Sequence, residues 1–534
     1  MSYSNDLTPL WLEIPARKAR RPLRRDLAVD VAVIGGGVTG LTTAYLLAKA
    51  GADVAVFEAG RIGGGESGRS AGHLSHFWDY LPTDLARRYD EATVKAVWDG
   101  LAQAIEMVDG IVQQEALACD FARVPGYLYT ADPTHLEMLE AIARIARRLG
   151  YEADQTRPLD LPFSPVSILR LGCQARIHPV RYLSGLAERL THLGVPIYEE
   201  TPIQDIEATA PVRLKTARGT EVFCEKVAVA SHVPFNNRLS LHAKQTAYRT
   251  YMLGFRVRSG DFPDALFRDT HSPHHYMHLQ RHATHDVLLV GGENHKTGHV
   301  DGHEHPFDRL NHYARRYLRI RGEELYRWSS QVLEPIDGLP LIGTSPDGKN
   351  EFVATGFSGE GLAMGTLAAH MLAERLLGRT TPWDERFDPH RSILHGVRDF
   401  VSENVDTLAC IVRDRLTNGG EERSPAALAP GEGGIYRLGG QKLAIARLDD
   451  GRLTSLSPIC THLGGQVHWN PEEKTWDCPC HGSRYSRDGA VLNGPAVRRL
   501  DPVPLSTVTV EDEREGRGFL PFRRSGLTER LLPS

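Results

Sequence analysis

Four side chains that commonly bind metals lie near the C-terminal end of the chain, in two short runs. Cys460 and His462 form a C-x-H run, and Cys478 and His481 form a C-x-x-H run that begins after fifteen intervening residues. Two thiolates and two imidazoles can hold either a Zn²⁺ ion or an iron–sulfur cluster. The residue types alone therefore indicate a metal centre built from two loops.

The order of the ligands distinguishes the two kinds of centre. A zinc finger usually has its two cysteines in one run and its two histidines in the other, whereas each run here has one of each. This alternation is typical of a Rieske [2Fe–2S] cluster, in which Cys460 and Cys478 would bind one iron and His462 and His481 the other. Because such a cluster moves one electron at a time, we expect the rest of the chain to generate or consume single electrons.

A nucleotide-binding motif lies near the other end of the chain. Residues 30–34 are an apolar run typical of a buried strand, residues 35–40 read G-x-G-x-x-G, and residues 41–50 have a helical pattern. Residues 53–57 form a second strand-like run that ends at Glu58. The glycines let backbone amides approach a pyrophosphate, and the acidic residue can accept hydrogen bonds from a ribose. The residues that we assign to the dinucleotide here are Gly35, Gly37, Val38, Thr39, Gly40, Glu58 and Ala59.

Three further blocks favour FAD over NAD. Residues 60–72 form a second loop rich in glycine and serine, residues 334–343 read E-P-I-D-G-L-P-L-I-G, and residues 351–361 lead into an Ala/Leu-rich helix. Together they resemble the D-amino-acid-oxidase-like family of FAD enzymes, which contains sarcosine, glycine and glutamylputrescine oxidases. The resemblance covers residues 30–390, and the chain has no second strand–G-x-G-x-x-G–helix unit for NAD(P)H. The further residues that the resemblance assigns to FAD are Gly65, Ser67, Arg69, Ser70, Ala71, Gly72, Ile203, Ala230, Gly356, Gly359, Gly361 and Leu362.

The resemblance also implies a fold. It implies an α/β FAD-binding Rossmann-type domain with an inserted α+β substrate domain, whose sheet we expect over residues 245–330. Residues 80–150 have the pattern of amphipathic helices, and residues 195–203 are expected to form an edge strand near the adenine. In the family, the block at residues 359–361 brings a helix N-terminus to the flavin ring, where its dipole favours the negative charge of reduced flavin.

Histidine is concentrated in the substrate domain, where ten of the 24 fall within residues 271–305. A metal site is one interpretation, but no H-E-x-x-H or comparable helix-face pair is present, which favours hydrogen-bonded or surface histidines. Residues 269–278 and 287–293 resemble the strand pair that lines the active site of glutamylputrescine-oxidase-like enzymes, which tend to carry Arg where this chain has His278. Some relatives attach flavin covalently through a histidine near His73, but the offset differs here. The candidate catalytic residues are His275, Tyr276 and His73.

The C-terminal part has a different sequence pattern. Residues 391–430 are expected to be a connector with a helix over residues 397–416, and residues 431–534 show the short strands and turns of an all-β Rieske domain. The complete chain resembles a bacterial group of proteins in which a D-amino-acid-oxidase-like FAD domain is fused to a C-terminal Rieske domain.

The cluster loops depart from the respiratory type of Rieske protein at one position. That type carries a second cysteine where this chain has Gly465, so Cys480 has no partner and we expect the two loops not to be cross-linked. As in the respiratory type, Ser483 and Tyr485 are spaced to donate hydroxyl hydrogen bonds to a bridging sulfide and a cysteine sulfur.

The composition limits the partners and the compartment. The net charge is −5, which gives no indication of nucleic acid, and no run of 18 apolar residues exists, so we expect no membrane span. Seven cysteines fit a reducing compartment. Residues 1–29 are expected to be a solvated N-terminal extension. The arginines of residues 17–25 leave a twin-arginine export signal as an alternative, but Asp26 and Asp30 interrupt the apolar stretch that follows, which favours the cytoplasm.

These motifs predict a FAD-dependent oxidoreductase that oxidises the C–N bond of a small-molecule amine or amino acid. The flavin would pass electrons singly to the Rieske cluster, and the cluster to an external electron acceptor. Oxidases of this family often place a lysine beside the flavin, whereas the aligned residues 287–290 have none, so we expect a slow reaction with oxygen.

Two other classes of protein contain such cofactors. A Rieske oxygenase would need a 2-His-1-carboxylate iron site in its large domain, which a flavin fold does not provide. A flavin and iron–sulfur redox sensor that turns over no amine is the second alternative, and bleaching of the flavin by an amine would separate it from an enzyme.

Overall fold

The fold is described from a computed structural model of the chain. The described residues are 7–14, 19–76, 81–156, 159–236, 241–282, 284–299, 305–392 and 424–505. The connector helix expected over residues 397–416 lies outside them. Among the described residues, no helix combines the length and the hydropathy that crossing a bilayer requires. The helices are α1 Val38–Lys49, α2 Pro82–Arg88, α3 Glu91–Gln114, α4 Leu136–Arg148, α5 Pro179–His192, α6 Pro306–Arg316 and α7 Gly361–Leu376.

The strands before residue 392 form two large sheets. They are β1 Leu27–Ile34, β2 Val54–Phe57, β3 His73–Leu74, β4 Ala122–Thr130, β5 Ala153–Gln155, β6 Ser167–Arg176, β7 Ile197–Tyr198, β8 Ile203–Glu207, β9 Val212–Thr216, β10 Glu221–Val229, β11 Gln245–Val257, β12 Leu266–Asp269, β13 Tyr276–Arg281, β14 Asp286–Lys296, β15 Glu324–Pro335, β16 Leu341–Ser345 and β17 Gly348–Thr355.

The first sheet has the order β16-β17-β10-β1-β2-β7, and the β8–β9 hairpin pairs with β10. Strands β2, β1, β10 and β17 are parallel. Successive residues of β1 face opposite sides: Val31 and Val33 pack in a core with α1, α3 and α7, whereas Ala32 and Ile34 pack in a second layer with Leu214. Because both faces are covered over residues 31–34, this part of the strand is continuously apolar. The predicted Rossmann-type α/β architecture is confirmed.

The second sheet has the order β15-β11-β14-β13-β12-β4-β6-β3, with β5 beside β6. Strands β11 to β15 form where the substrate-domain sheet was expected, and Phe255, Leu288 and Leu310 pack one face of the sheet against α6. The prediction of helices over residues 80–150 is right for α3 and α4 but wrong for β4. Residues 126–130 of β4 are all buried, so the alternation that marks a half-exposed strand is absent there.

The N-terminal segment differs from the predicted solvated extension. Trp11 is fully buried, and its Nε1–H donates a hydrogen bond to the Ser70 carbonyl oxygen at 2.7 Å. Leu23 is buried in the apolar layer on the outer face of the first sheet, and the Arg20 amide donates to Glu199 at 2.8 Å. Residues 7–14 and 19–26 therefore pack against the Rossmann-type domain. They help to cover the hydrophobic core of that domain.

The C-terminal part consists of two small antiparallel sheets, which confirms its all-β class. The first has the order β18-β19-β20 and the second β21-β22-β23-β24. A core of Cys460, Cys478, Trp476 and Tyr485 lies between the loops of the second sheet. The predicted ligand runs are therefore anchored by apolar packing. The strands are β18 Gly433–Leu438, β19 Gln441–Arg447, β20 Leu453–Leu456, β21 His468–Asn470, β22 Thr475–Asp477, β23 Arg484–Tyr485 and β24 Val491–Asn493.

Candidate active site and cluster site

A cavity of about 590 Å³ opens where the parallel strands of the first sheet end. Ile34 at the end of β1, Phe57 at the end of β2 and Ala230 just after β10 line it, which is where open α/β sheets bind ligands. The predicted FAD residues that line the cavity are Gly35, Gly37, Val38, Thr39, Glu58, Ala59, Gly65, Ser67, Ser70, Ala71, Ile203, Ala230, Gly359, Gly361 and Leu362.

The glycine loop is a cradle that side chains would fill. Gly35 has φ +114°, and a Cβ there would collide with the Ala230 carbonyl oxygen. A Cβ at Gly37 would lie 3.0 Å from the Ser67 hydroxyl, which accepts a hydrogen bond from the Val38 amide at 3.1 Å. α1 begins at Val38 rather than at the predicted residue 41. The loop therefore leaves backbone close to the cavity, as a pyrophosphate requires.

Glu58 lies on the wall of the cavity in the position expected for a ribose partner. Its two carboxylate oxygens accept hydrogen bonds from the Gly36 amide at 2.6 Å and the Gly60 amide at 2.7 Å. Burial raises the pKa of Glu58, although these backbone hydrogen bonds oppose the shift. The glycine cradle and the anchored carboxylate together fit a dinucleotide such as FAD.

Four of the predicted FAD residues lie behind the cavity wall. A Cβ at Gly40 would collide with the Gly35 carbonyl oxygen, so this glycine brings α1 close to β1. The Arg69 carbonyl accepts a hydrogen bond from the Trp328 ring at 2.8 Å, and Gly72 and Gly356 have φ +77° and +76°. These residues shape the loops around the cavity without lining it.

Two of the candidate catalytic residues, His73 and Tyr276, line the cavity. His73 Nε2 lies 2.8 Å from Nδ1 of His278. Burial lowers the pKa of His73 to about 3 and holds that of His278 well below its usual range, so both rings are neutral. His278 is thus part of a buried, uncharged imidazole pair with His73.

The third candidate, His275, lies on the other side of this wall. Its Nδ1 is 2.9 Å from Asp269 and its Nε2 is 3.2 Å from Glu293. Burial lowers the pKa of His275, but the hydrogen bonds to these two carboxylates outweigh it and raise the pKa to about 9. His274 and Tyr276 face the cavity, and His275 points the opposite way because alternate residues of an extended chain face opposite sides. The His275 side chain therefore does not reach the cavity, and this position does not support its predicted catalytic role.

His275 belongs to a polar cluster with Asp269 and His271, whose potential ligand atoms lie within 4.8 Å of one another. Asp269 accepts hydrogen bonds from His271 Nδ1 at 2.8 Å and from the Tyr313 hydroxyl at 2.9 Å. The hydrogen bonds satisfy the carboxylate, in agreement with the predicted hydrogen-bonded histidines.

Several cavity residues were not found from the sequence. Glu360, which begins α7, accepts a hydrogen bond from the Ser75 hydroxyl at 2.7 Å and lies on the wall. Arg268 lies on the same wall. Residues 490–494 of the C-terminal part complete it. No local motif marks these residues, because they reach the cavity only when distant segments pack together.

The cluster site contains the four predicted ligands. Cys460 and Cys478 are buried, and hydrogen bonding between their thiols raises the pKa of Cys460. The rings of His462 and His481 lie 5.2 Å apart between centroids at 86°. Burial lowers the pKa of His481 to about 4, so its ring is neutral, the form that binds iron. Two buried thiols and two imidazoles from two loops fit a Rieske cluster.

The surroundings of the ligands explain the departure at residue 465. A Cβ at Gly465 would collide with the sulfur of Cys480, so that sulfur occupies the space of a second cysteine. Among the described cysteines, which include Cys480, none forms a disulfide. The Tyr485 hydroxyl lies 3.1 Å from the Cys460 sulfur, as predicted. The Ser483 hydroxyl oxygen accepts a hydrogen bond from the backbone N–H of Ala496 at 3.1 Å.

The fold and these two sites define a flavin- and iron–sulfur-dependent oxidoreductase, and comparison with known proteins places it in a family. The model of the FAD dependent oxidoreductase (DAO) family matches residues 30–375, and that of the Rieske [2Fe-2S] domain matches residues 423–505. The chain belongs to the DAO family, and it has a C-terminal Rieske domain. Its cofactors are FAD and a [2Fe–2S] cluster.

Relatives share one or both parts. The chain is 29% identical over 486 residues to YhfW of Bacillus subtilis (strain 168), a protein named for a Rieske 2Fe-2S centre, covering 90% of this chain and 95% of that protein. It is 26% identical over 390 residues to gamma-glutamylputrescine oxidoreductase of Escherichia coli (strain K12), covering 70% of this chain and 88% of that enzyme. Glycine oxidase from Geobacillus kaustophilus has a similar fold, with a TM-score of 0.58 and 19% identity over 68% of this chain and 99% of that one.

Proposed function

We propose that this protein oxidises the C–N bond of a small amine or amino acid at FAD and passes the electrons to its Rieske cluster, from which an external acceptor takes them. The observation that supports this proposal is the shared cavity. Residues 490–494, which belong to the Rieske part, form one wall of the cavity whose other walls contain the FAD motif and His73. Gamma-glutamylputrescine oxidoreductase and glycine oxidase among the relatives support an amine or amino-acid substrate.

The residues around the cavity supply distinct functions. FAD, when bound, supplies a two-electron acceptor that can release electrons singly. Glu58 and the glycine loop would hold its adenosine end. The N-terminus of α7 at Gly361 presents the positive end of a helix dipole to the cavity, which favours negative charge there. The second sheet covers the site and limits the access of water.

The charges on the wall bear on the form of the substrate. His73 and His278 are neutral, so His73 can accept a hydrogen bond from an amine N–H without repelling a protonated amine. Arg268 supplies a cation that can meet a carboxylate. The wall therefore suits both a free amine and an amino acid, and the proposal retains both classes.

The proposal is tested by anaerobic stopped-flow mixing with a panel of amines and amino acids. We expect at least one compound to bleach the flavin, at similar rates in wild type and in Cys478→Ser. Turnover with an external one-electron acceptor should collapse only in Cys478→Ser, while the exposed Cys173→Ser serves as the matched control. Normal turnover in Cys478→Ser would refute transfer through the cluster, and a panel without any bleaching would favour a redox sensor.

The reaction of reduced flavin with oxygen gives a second test. Residues 287–290 of β14 contain no lysine, and Lys296 at the end of this strand is not among the residues that line the cavity. We therefore expect slow reoxidation of the flavin in air. Reoxidation as fast as in an efficient oxidase would contradict the proposal that electrons leave through the cluster.

A further inference from the structure

One buried hydrogen bond connects the cavity wall directly to a cluster loop. Gln331 in β15 lines the cavity, and its Nε2–H donates to the carbonyl oxygen of Gly482 at 2.7 Å. Gly482 is the residue that follows the predicted iron ligand His481. The hydrogen bond therefore connects the wall of the FAD cavity to the backbone of the residue next to a predicted iron ligand, with no other side chain between them.

Gln331 is held in place from the cavity side. The backbone N–H of Gln331 donates a hydrogen bond to Glu66 Oε2 at 2.7 Å. The other carboxylate oxygen of Glu66 accepts a hydrogen bond from Asn493 Nδ2 at 2.7 Å. Glu66 and Asn493 both line the cavity. Glu66, in the glycine- and serine-rich loop of residues 60–72, thus joins β15 to the Rieske domain. The position of Gln331 is therefore fixed by both parts of the chain.

The contact at Gly482 leaves no space for a side chain. Gly482 has φ +77°, and a Cβ there would collide with the Ala247 side chain and lie 2.8 Å from Gln331 Nε2. The backbone of the cluster loop therefore rests directly on strands β11 and β15. Such close packing brings the backbone beside His481 as near to the FAD domain as atoms allow.

The histidine side of the cluster site also faces the FAD domain. The buried ring of His242, just before β11, lies 4.9 Å from the ring of His462 and 5.5 Å from that of His481 between centroids. The two imidazoles that would bind iron are therefore covered by an element of the flavin part.

A buried ion network holds the two parts together. Glu473 of the Rieske domain lies 2.7 Å from Arg249 of β11 and 2.8 Å from Arg484. Side-chain exposure is 1% for Arg249 and 6% for each of the other two. Separating the parts would leave Arg249 without its carboxylate, and an uncompensated buried charge is strongly unfavourable. The network opposes a swinging motion of the Rieske domain.

We propose that electrons cross from the flavin to the cluster through this fixed contact, with Gln331 as the positioning residue that couples the cavity to His481 through Gly482. The inference rests on the function proposed above. An amine that becomes an imine loses two electrons and two protons. The electrons reach the cluster one at a time, each reducing one ferric iron to ferrous, and an external one-electron acceptor reoxidises the cluster between them, while the protons pass to solvent.

The test uses the full chain with both cofactors and needs no substrate. Flavin is reduced by light with EDTA as the electron donor, and freeze-quench EPR follows the appearance of the reduced cluster. We expect Gln331→Leu, which keeps the side-chain size and loses the donor, to slow cluster reduction about tenfold, equivalent to about 1.4 kcal/mol in barrier height. FAD content and the EPR g-values of the cluster should stay unchanged.

His305→Gln is the matched control, because His305 Nδ1 contacts Glu472 of the Rieske domain at 2.8 Å and does not line the cavity. Its rate should equal that of wild type. An unchanged rate in Gln331→Leu would overturn the role of Gln331, whereas a wild-type cluster that stays oxidised would overturn the proposed function itself. Rising solvent viscosity should leave the wild-type rate unchanged, and a rate that falls with viscosity would overturn the fixed contact whether or not Gln331→Leu folds.

Discussion

Replacing Tyr485 with phenylalanine should lower the reduction potential of the cluster. Tyr485 is fully buried, and its hydroxyl lies 3.1 Å from the sulfur of Cys460. The amide of Thr461 donates to the same oxygen at 3.2 Å. Because this amide occupies a lone pair of the oxygen, the phenol proton can point to the sulfur. A thiolate in the reduced cluster is more negative and gains more from this hydrogen bond than one in the oxidised cluster.

The size of the effect follows from the energy of the hydrogen bond. A hydrogen bond to a charged acceptor contributes about 1.5–3 kcal/mol. Only the part that differs between the two redox states changes the potential, and we take about 1 kcal/mol for it. For one electron, about 59 mV corresponds to a factor of ten, or about 1.4 kcal/mol. We therefore expect Tyr485→Phe to lower the potential by about 42 mV, within the Rieske range of about −150 to +300 mV.

The measurement is a redox titration of the purified protein, monitored by the EPR signal of the reduced cluster. Tyr436→Phe is the control, because Tyr436 is a buried tyrosine of the same domain that packs with Leu443 and Ile445. Its potential should equal that of wild type. An unchanged or higher potential in Tyr485→Phe would refute the donation of a hydrogen bond to the cysteine sulfur.

Three further predictions concern the cofactors and the contact between the parts. Cys460→Ser or Cys478→Ser should remove the iron and leave FAD bound, and loss of both by metal and flavin analysis would show that the sites are not separate. Glu473→Ala should destabilise the protein by about 3–5 kcal/mol, because it leaves the buried charge of Arg249 without its carboxylate, whereas Arg484 keeps Asp477 at 3.1 Å; urea unfolding measures this loss. Burial raises the pKa of Glu473, but Arg249 and Arg484 outweigh it and hold the pKa at about 2, below the unfolded value of about 4.3. The stability that this carboxylate contributes should therefore be present above about pH 4.3 and fall as the pH drops toward 2, and thermal unfolding of Glu473→Gln should lack this part of the pH dependence.

The sequence was sufficient wherever the chemistry depends on residues that are close in the chain. The alternation of Cys460, His462, Cys478 and His481 indicated a Rieske cluster, because one short loop supplies each pair of ligands. The β-α-β motif that ends at Glu58 predicted a dinucleotide site for the same reason, since the spacing of one strand, one turn and one helix fixes where its backbone amides lie. The choice of FAD over NAD rested in addition on the resemblance of three further blocks, at residues 60–72, 334–343 and 351–361.

The tertiary structure decided what depends on packing between distant segments. Trp11 is buried although its segment reads as solvated, and β4 lacks the alternation that marks a half-exposed strand because residues 126–130 are all buried. His275, just before β13, lies in a polar cluster with Asp269 and Glu293, whereas its neighbours His274 and Tyr276 line the cavity. The hydrogen bond from Gln331 to Gly482 joins residues 151 positions apart. No local pattern encodes that distance, so only the folded chain shows that the cluster loop rests against the flavin cavity.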